Sequence, residues 1–211
     1  MTSETKLRDQ FCLWGKSIFD RGLTSGSSGN FSARLDDGFL VTPTNECLGF
    51  LDPARLSKLD QNGNHVSGAK PTKEVPLHKA FYESRQQAMG IVHLHSTFAT
   101  ALSCLNGLDS GNVLPSLTPY VLMRVGVVPL VPYVEPGSLE IVPHIKAVAA
   151  RHNAVLLANH GPVVSGTSFE NAVFAAEEFE EAAKVYFLLK PHNAKEISAS
   201  HVKALMDKWK S

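Results

Sequence analysis

At 211 residues, 44% hydrophobic and 19% charged, the chain has the make-up of an ordinary globular protein, one domain long with a real core. Lys plus Arg and Asp plus Glu both number 20, and a formal net charge of zero gives no basis for a nucleic-acid or anionic-membrane partner. The opening Met1-Thr2-Ser3-Glu4-Thr5-Lys6 lacks the apolar core of a signal peptide and no run reaches transmembrane length, so the expected compartment is the cytoplasm. The cysteines, Cys12, Cys47 and Cys104, lack metal-type spacing; Cys12 and Cys104 fall in predicted helices and read as reduced core thiols.

Leu7, Phe11, Trp14 and Ile18 recur at helical spacing, which predicts a helix over Lys6–Arg21 stopped by Gly22. Thr24-Ser25-Gly26-Ser27-Ser28-Gly29-Asn30 follows. Its open backbone N–H groups and hydroxyls suit a phosphate cradle, although for such a loop in isolation a plain turn is the favoured reading. Phe31–Leu35 and Phe39–Thr42 read as a hairpin through Asp36-Asp37-Gly38. Thr42-Pro43-Thr44-Asn45 is a further hydroxyl-bearing turn, and Leu56–Leu59 a short strand before the turn at Gln61–Asn64. Pro76 fits the first turn of a helix, so Thr72, Lys73 and Glu74 stand at its entrance, where free N–H groups attract anions. His78, one turn after Glu74, reads as a surface histidine.

Ile91-Val92-His93-Leu94-His95 places two histidines at i and i+2 in an apolar run, on one face of a strand. Ala154–Ala158 is a second short strand, and Asn159-His160-Gly161 comes straight after it. Three imidazoles from two strand ends make a plausible metal site with one position left open, the catalytic rather than the structural kind. Between these strands, Ser96 is the predicted cap of a helix over Thr97–Asn106, and Leu108–Val125 is irregular. Val127–Val134, broken by Pro129 and Pro132, is an edge strand or none, and Ser138 caps a helix from Leu139 to about His152. Thr167-Ser168-Phe169-Glu170 matches a capping box and opens a long helix that stops before Pro191. A last helix runs from near Ser198 to Lys210. His144, His152, His192 and His201 have no strand-end setting.

The motifs Ser28-Gly29-Asn30, Thr42-Pro43-Thr44, Pro71-Thr72-Lys73-Glu74, His93-Leu94-His95 and Asn159-His160-Gly161, in this order and spacing, resemble the class II aldolase/adducin superfamily over nearly the whole chain. Within it, Lys70–Glu74, His93–Thr97, Thr118-Pro119-Tyr120 and Leu130–Tyr133 are most similar to the 3-oxo-tetronate 4-phosphate decarboxylases. The resemblance implies a single domain over residues 1–211 with a three-layer α/β/α fold and a central, mainly antiparallel sheet. It implies one Zn²⁺ per subunit on His93, His95 and His160, with Glu74 as a further resting ligand and catalytic acid/base. It implies phosphate contacts from Gly29, Asn30, Thr44, Thr72 and Lys73, and a homotetramer in which Tyr120 reaches a neighbour's site.

The activity implied is decarboxylation of a four-carbon acid-sugar phosphate to dihydroxyacetone phosphate through a metal-stabilised enediolate. A class II sugar-phosphate aldolase or epimerase is the alternative, and an adducin-like assembly module a more distant one, because all three histidines and the Glu are retained. Two positions depart from many aldolases. Asn45 stands where Gly follows Thr-Pro-Thr, and Thr72-Lys73 where two Ser precede the Glu. The lysine adds a cation that favours a doubly anionic substrate.

Overall fold

The computed structural model describes residues 3–209. One eight-stranded sheet organises them, in the order β4-β3-β2-β1-β5-β8-β7-β6. The strands are β1 (Asn30–Leu35), β2 (Gly38–Val41), β3 (Ser57–Asp60), β4 (His65–Ser67), β5 (Gly90–His93), β6 (Leu130–Val131), β7 (Ala154–Leu157) and β8 (Gly161–Gly166). Every neighbouring pair is antiparallel except β6 with β7. The helices are α1 (Ser3–Asp20), α2 (Val75–Ser84), α3 (Thr97–Ser103), α4 (Pro119–Arg124), α5 (Ile141–Ala149), α6 (Phe169–Leu189) and α7 (Ala199–Lys208).

Alternation along the central strands sorts the core into two layers. Val92, Leu156 and Val164 face one side with Phe11, Phe31, Phe169 and Phe179, under α1, α3 and α6. Ile91, Val155 and Val163 face the other with Leu77, Phe81 and Ile145, under α2 and α5. Adjacent residues therefore bury on opposite faces. Coverage on both sides explains why β5 and β7 read as unbroken apolar runs. This is the three-layer arrangement with a mainly antiparallel sheet that the motifs implied.

Several local expectations are corrected. β8 escaped the sequence because Gly161 and Pro162 open it, both strand-disfavouring residues. β4 is exposed throughout and carries no apolar pattern. The segment read as irregular contains α4, which Pro119 begins at a first-turn position. α3 ends at Ser103 rather than Asn106, which leaves Cys104 exposed instead of in the core; Cys12 is only half-buried. α5 starts at Ile141, with the Glu140 N–H donating to Ser138 Oγ. At α6 the cap is Ser168, which accepts from Asn171 N, one residue later than the predicted box. Met1, Thr2, Lys210 and Ser211 lie outside the described residues, Lys210 being the predicted end of the last helix.

Ser96 holds the cap position of α3, but its side chain makes no capping bond and its buried Oγ has no partner among the described residues. The carboxylate of Glu180, buried on α6, accepts instead from Phe98 N and Ala99 N, each at 2.8 Å. An acid satisfies two orphan donors there and opposes the helix dipole. Glu180→Ala should lower unfolding stability by about 1–3 kcal/mol, the cost of unsatisfied buried donors. A denaturant midpoint equal to the parent's would show that the carboxylate is not the cap.

Candidate metal centre

The two halves of the site are set by backbone geometry. β5 carries His93 at its last position, and the chain runs on through Leu94 to His95. β7 and β8 form a hairpin whose tip is Ala158-Asn159-His160, with Leu157 opposite Gly161. Asn159 turns the chain at φ 54°, a left-handed conformation that asparagine tolerates better than most residues. At Gly161 a Cβ would fall 2.4 Å from the Leu94 carbonyl oxygen, so only glycine lets the hairpin approach the His93–His95 segment. Side chains of α3 clamp the tip. Ser103 Oγ accepts from His160 N at 3.1 Å, and Thr100 Oγ1 donates to the His160 carbonyl at 3.3 Å.

These constraints bring His93, His95 and His160 together, with their ligand nitrogens all within 4.8 Å of one another. His93 is fully buried, and its Nδ1–H donates to the Pro162 carbonyl at 2.9 Å. Its Nε2 is therefore the bare nitrogen, and the carbonyl that holds Nδ1–H orients the ring as a ligating histidine requires. That nitrogen lies 3.1 Å from His95 Nε2 and 3.2 Å from His160 Nε2. Nitrogens bound at about 2.0–2.1 Å around a tetrahedral ion stand roughly 3.3 Å apart, so the spacing fits a divalent cation.

Glu74, at the cap position of α2, completes the ring. Its Oε2 is 3.3 Å from His93 Nε2 and its Oε1 is 3.8 Å from His160 Nε2. Burial pushes its carboxyl pKa up, but His93, the Asn30 amide and His160 together pull it down to about 2. Burial moves His93 and His95 below the ordinary imidazole range, and takes His160 down to about 4, with His93 and Lys73 adding to the effect. Neutral rings and an ionised carboxylate are the protonation states a metal requires.

The residues expected to hold phosphate gather nearby. Gly29 sits at φ 81°, and a Cβ there would lie 3.0 Å from the His93 carbonyl. The Thr42–Thr44 and Pro71–Lys73 turns are tied by Thr72 N to Thr42 O, Thr44 N to Lys70 O, and a Pro43–Pro71 bridge. Asn45 keeps the left-handed turn at φ 60°, so the substitution for glycine preserves the backbone. Thr72 is buried, and its Oγ1 accepts from Glu74 N at 3.3 Å. Lys73 is exposed, and a Cβ added at Gly137 would lie 3.3 Å from its stem. Asn30 is turned inward: Nδ2 donates to Glu74 Oε2 at 2.8 Å and Oδ1 meets His78 Nε2 at 2.6 Å.

His78 stands elsewhere than expected, and Tyr120 stays outside its own subunit's cleft. His78 is 2% exposed rather than on the surface, because α2 lies over β1 and presses it against Asn30 and Ser32. The spacing from Glu74 placed it on the right helix, but not on the buried face. Tyr120 is 58% exposed on α4 and does not line the cleft beside Glu74 and His160, whose walls are Pro132, Glu135, Gly137 and Ile141. That 132–141 wall has no part in the site expected from the sequence.

A family model described as the class II aldolase and adducin N-terminal domain matches residues 9–187. A 3-oxo-tetronate 4-phosphate decarboxylase of Escherichia coli K12 is 49% identical over 203 residues, covering 96% of each chain. An L-fuculose phosphate aldolase of the same organism is 34% identical over 167 residues, 78% of this chain and 75% of that one. The crystal structure of YgbL from E. coli superposes with a TM-score of 0.95 at 47% identity, covering 97% of this chain and all of that one.

Proposed function

The chain belongs to the class II aldolase and adducin family, and on that premise we propose that it decarboxylates 3-oxo-tetronate 4-phosphate to dihydroxyacetone phosphate and CO₂. The observation that carries the reading is the His93, His95, His160 and Glu74 cluster, in a chain nearly half identical over its length to a decarboxylase of that name. His93, His95 and His160 hold Zn²⁺, with Glu74 as a resting ligand, although the donor set accepts other divalent ions. When bound, the ion supplies Lewis acidity towards the substrate's ketone oxygen, where negative charge develops as CO₂ leaves.

The remaining work falls to the chain's own groups. The substrate is a 3-oxo acid, so breaking the bond to its carboxylate leaves an electron pair on the hydroxyl-bearing carbon. One proton from solvent must reach that carbon. Glu74 is placed to carry it: Oε2 is tethered by Asn30, and Oε1 is the oxygen left to take and give the proton. Gly29, Thr44, Thr72 and Lys73 bind the terminal phosphate, with Asn30 oriented inward to support Glu74. A class II aldolase is the second reading, favoured by the L-fuculose phosphate aldolase relative and by the charge shared between the two reactions.

No helix among the described residues is long and apolar enough to cross a membrane, and we place the enzyme in the cytoplasm. Tyr120, exposed on α4, serves a neighbour's site in a homotetramer. Light scattering should give four subunits; a fully active monomer removes that role.

Zinc-loaded protein should release CO₂ and dihydroxyacetone phosphate from the proposed substrate, and chelator-stripped protein should not. Glu74→Gln should retain zinc and lose about 10²–10⁴-fold in turnover, the range for general acid–base groups. Zinc-replete protein without CO₂ release, but with aldehyde-dependent consumption of dihydroxyacetone phosphate, moves the assignment to the aldolase. Lys73→Ala should raise KM with little change in metal content, since the lysine stands where substrate anions approach the triad. An unchanged KM returns Lys73 to the solvated surface.

A further inference from the structure

Behind Glu74 runs a line of buried polar side chains of which the proposed chemistry uses only the first, Asn30. Tyr82 and His78 lie on α2, and Ser32 and Asn30 on β1, with exposures of 2%, 2%, 0% and 6%. They sit where α2 meets the sheet, among Leu77, Phe81 and Ile91. Four polar groups in an apolar layer are costly unless each is satisfied. Each is satisfied, in only one sense of donation.

The order of donors follows by elimination from the carboxylate end. Ionised Glu74 only accepts, so the 2.8 Å contact to Oε2 is made by the Asn30 amide nitrogen. Asn30 Oδ1 then faces His78 Nε2 at 2.6 Å and can only accept, so His78 carries its proton on Nε2. The ring is buried and hydrogen-bonds to no carboxylate, so it is neutral and Nδ1 has a lone pair. Ser32 Oγ, 2.6 Å from Nδ1, must donate its single proton there. The 2.9 Å contact between Ser32 Oγ and Tyr82 OH is therefore donated by Tyr82. The far end is anchored: the Tyr82 ring stacks on Phe39, lies under the Arg34 guanidinium at 4.8 Å, and its carbonyl accepts from Arg34 Nη2 at 3.1 Å.

We infer that Tyr82, Ser32, His78 and Asn30 form a one-way hydrogen-bond chain that positions Glu74 by tethering Oε2, leaving Oε1 as the oxygen that exchanges the substrate's proton. The inference rests on the reading of Glu74 as proton carrier. The chain orients and does not conduct, because the Asn30 amide cannot pass a proton through itself while remaining an amide. His78 is thus a positioning residue, one step removed from the carboxylate. Were His78 to carry its proton on Nδ1, Asn30 would lose its donor at Oδ1. It could then turn that oxygen towards the Glu74 carboxylate, and the tether would become a repulsion.

The test uses zinc-loaded enzyme. His78→Leu removes the donor to Asn30 and should lower kcat by about 10- to 100-fold, the usual cost of a lost supporting partner, with KM and zinc content close to the parent's. His78→Gln can place a side-chain N–H near the Nε2 position and should recover most of the lost kcat. Equal losses in both variants, or a change confined to KM, would overturn the positioning role. Should His78→Leu fail to fold, ¹⁵N-histidine spectra of the unmodified enzyme still decide the matter. They should show His78 neutral with the proton on Nε2, and a proton on Nδ1 overturns the chain. A fully active Glu74→Gln variant would sink the proton-carrier reading itself. An inactive Glu74→Gln beside a fully active His78→Leu sinks only the chain.

Discussion

Three imidazole nitrogens and a carboxylate crowd one another at 3.1–3.8 Å around a bare His93 Nε2. A bare Nε2 beside two further imidazoles and a carboxylate is a donor set suited to a cation, and much of the architecture forces that gathering. Glycine at 161 lets the hairpin in, asparagine at 159 turns its tip, and Thr100 and Ser103 hold the tip down. Pro162 fixes the tautomer of His93 through its carbonyl, the one backbone acceptor a proline still has. The strands that carry these residues, β5, β7 and β8, lie side by side and are buried on both faces. The convergence therefore rests on the buried centre of the sheet.

Much of this was legible in the sequence where local chemistry decides the outcome. The His-x-His spacing, the strand before His160 and the proline opening α2 each report a local rule, and each places its residue correctly. The turns at Gly29 and Asn45 also formed where the sequence placed them, because turn chemistry is local. What stayed hidden depends on contacts between distant segments. His78 read as a surface residue because helical spacing gives its neighbours on α2, not which face lies over β1. Ser96 looked like the cap of α3, but the carboxylate of Glu180, 82 residues on from Phe98, took the position. β8 was masked by a glycine and a proline that serve the site at the expense of the strand pattern. In each miss a tertiary partner overrode a local preference.

The departures from the family pattern separate into two kinds. Asn45 leaves the backbone of its turn as glycine would have it, so the local cradle survives with a side chain added. Lys73 changes the electrostatics near His95 and His160 rather than the path of the chain. On the proposed function, a cation at that point would meet the second anionic group of the substrate. That is the chemical difference between an acid-sugar phosphate and a neutral one.

The clustered ligands have a consequence for folding as well as for chemistry. His93 and His160 stand 67 residues apart in sequence, and Glu74 lies outside that span. An ion held by all of them acts as a reversible cross-link, closing a long loop of the unfolded chain that is otherwise costly in entropy to close. With such an ion bound, resistance to unfolding would be tied to its supply, because the four side chains that close the loop are those proposed to form the reaction site.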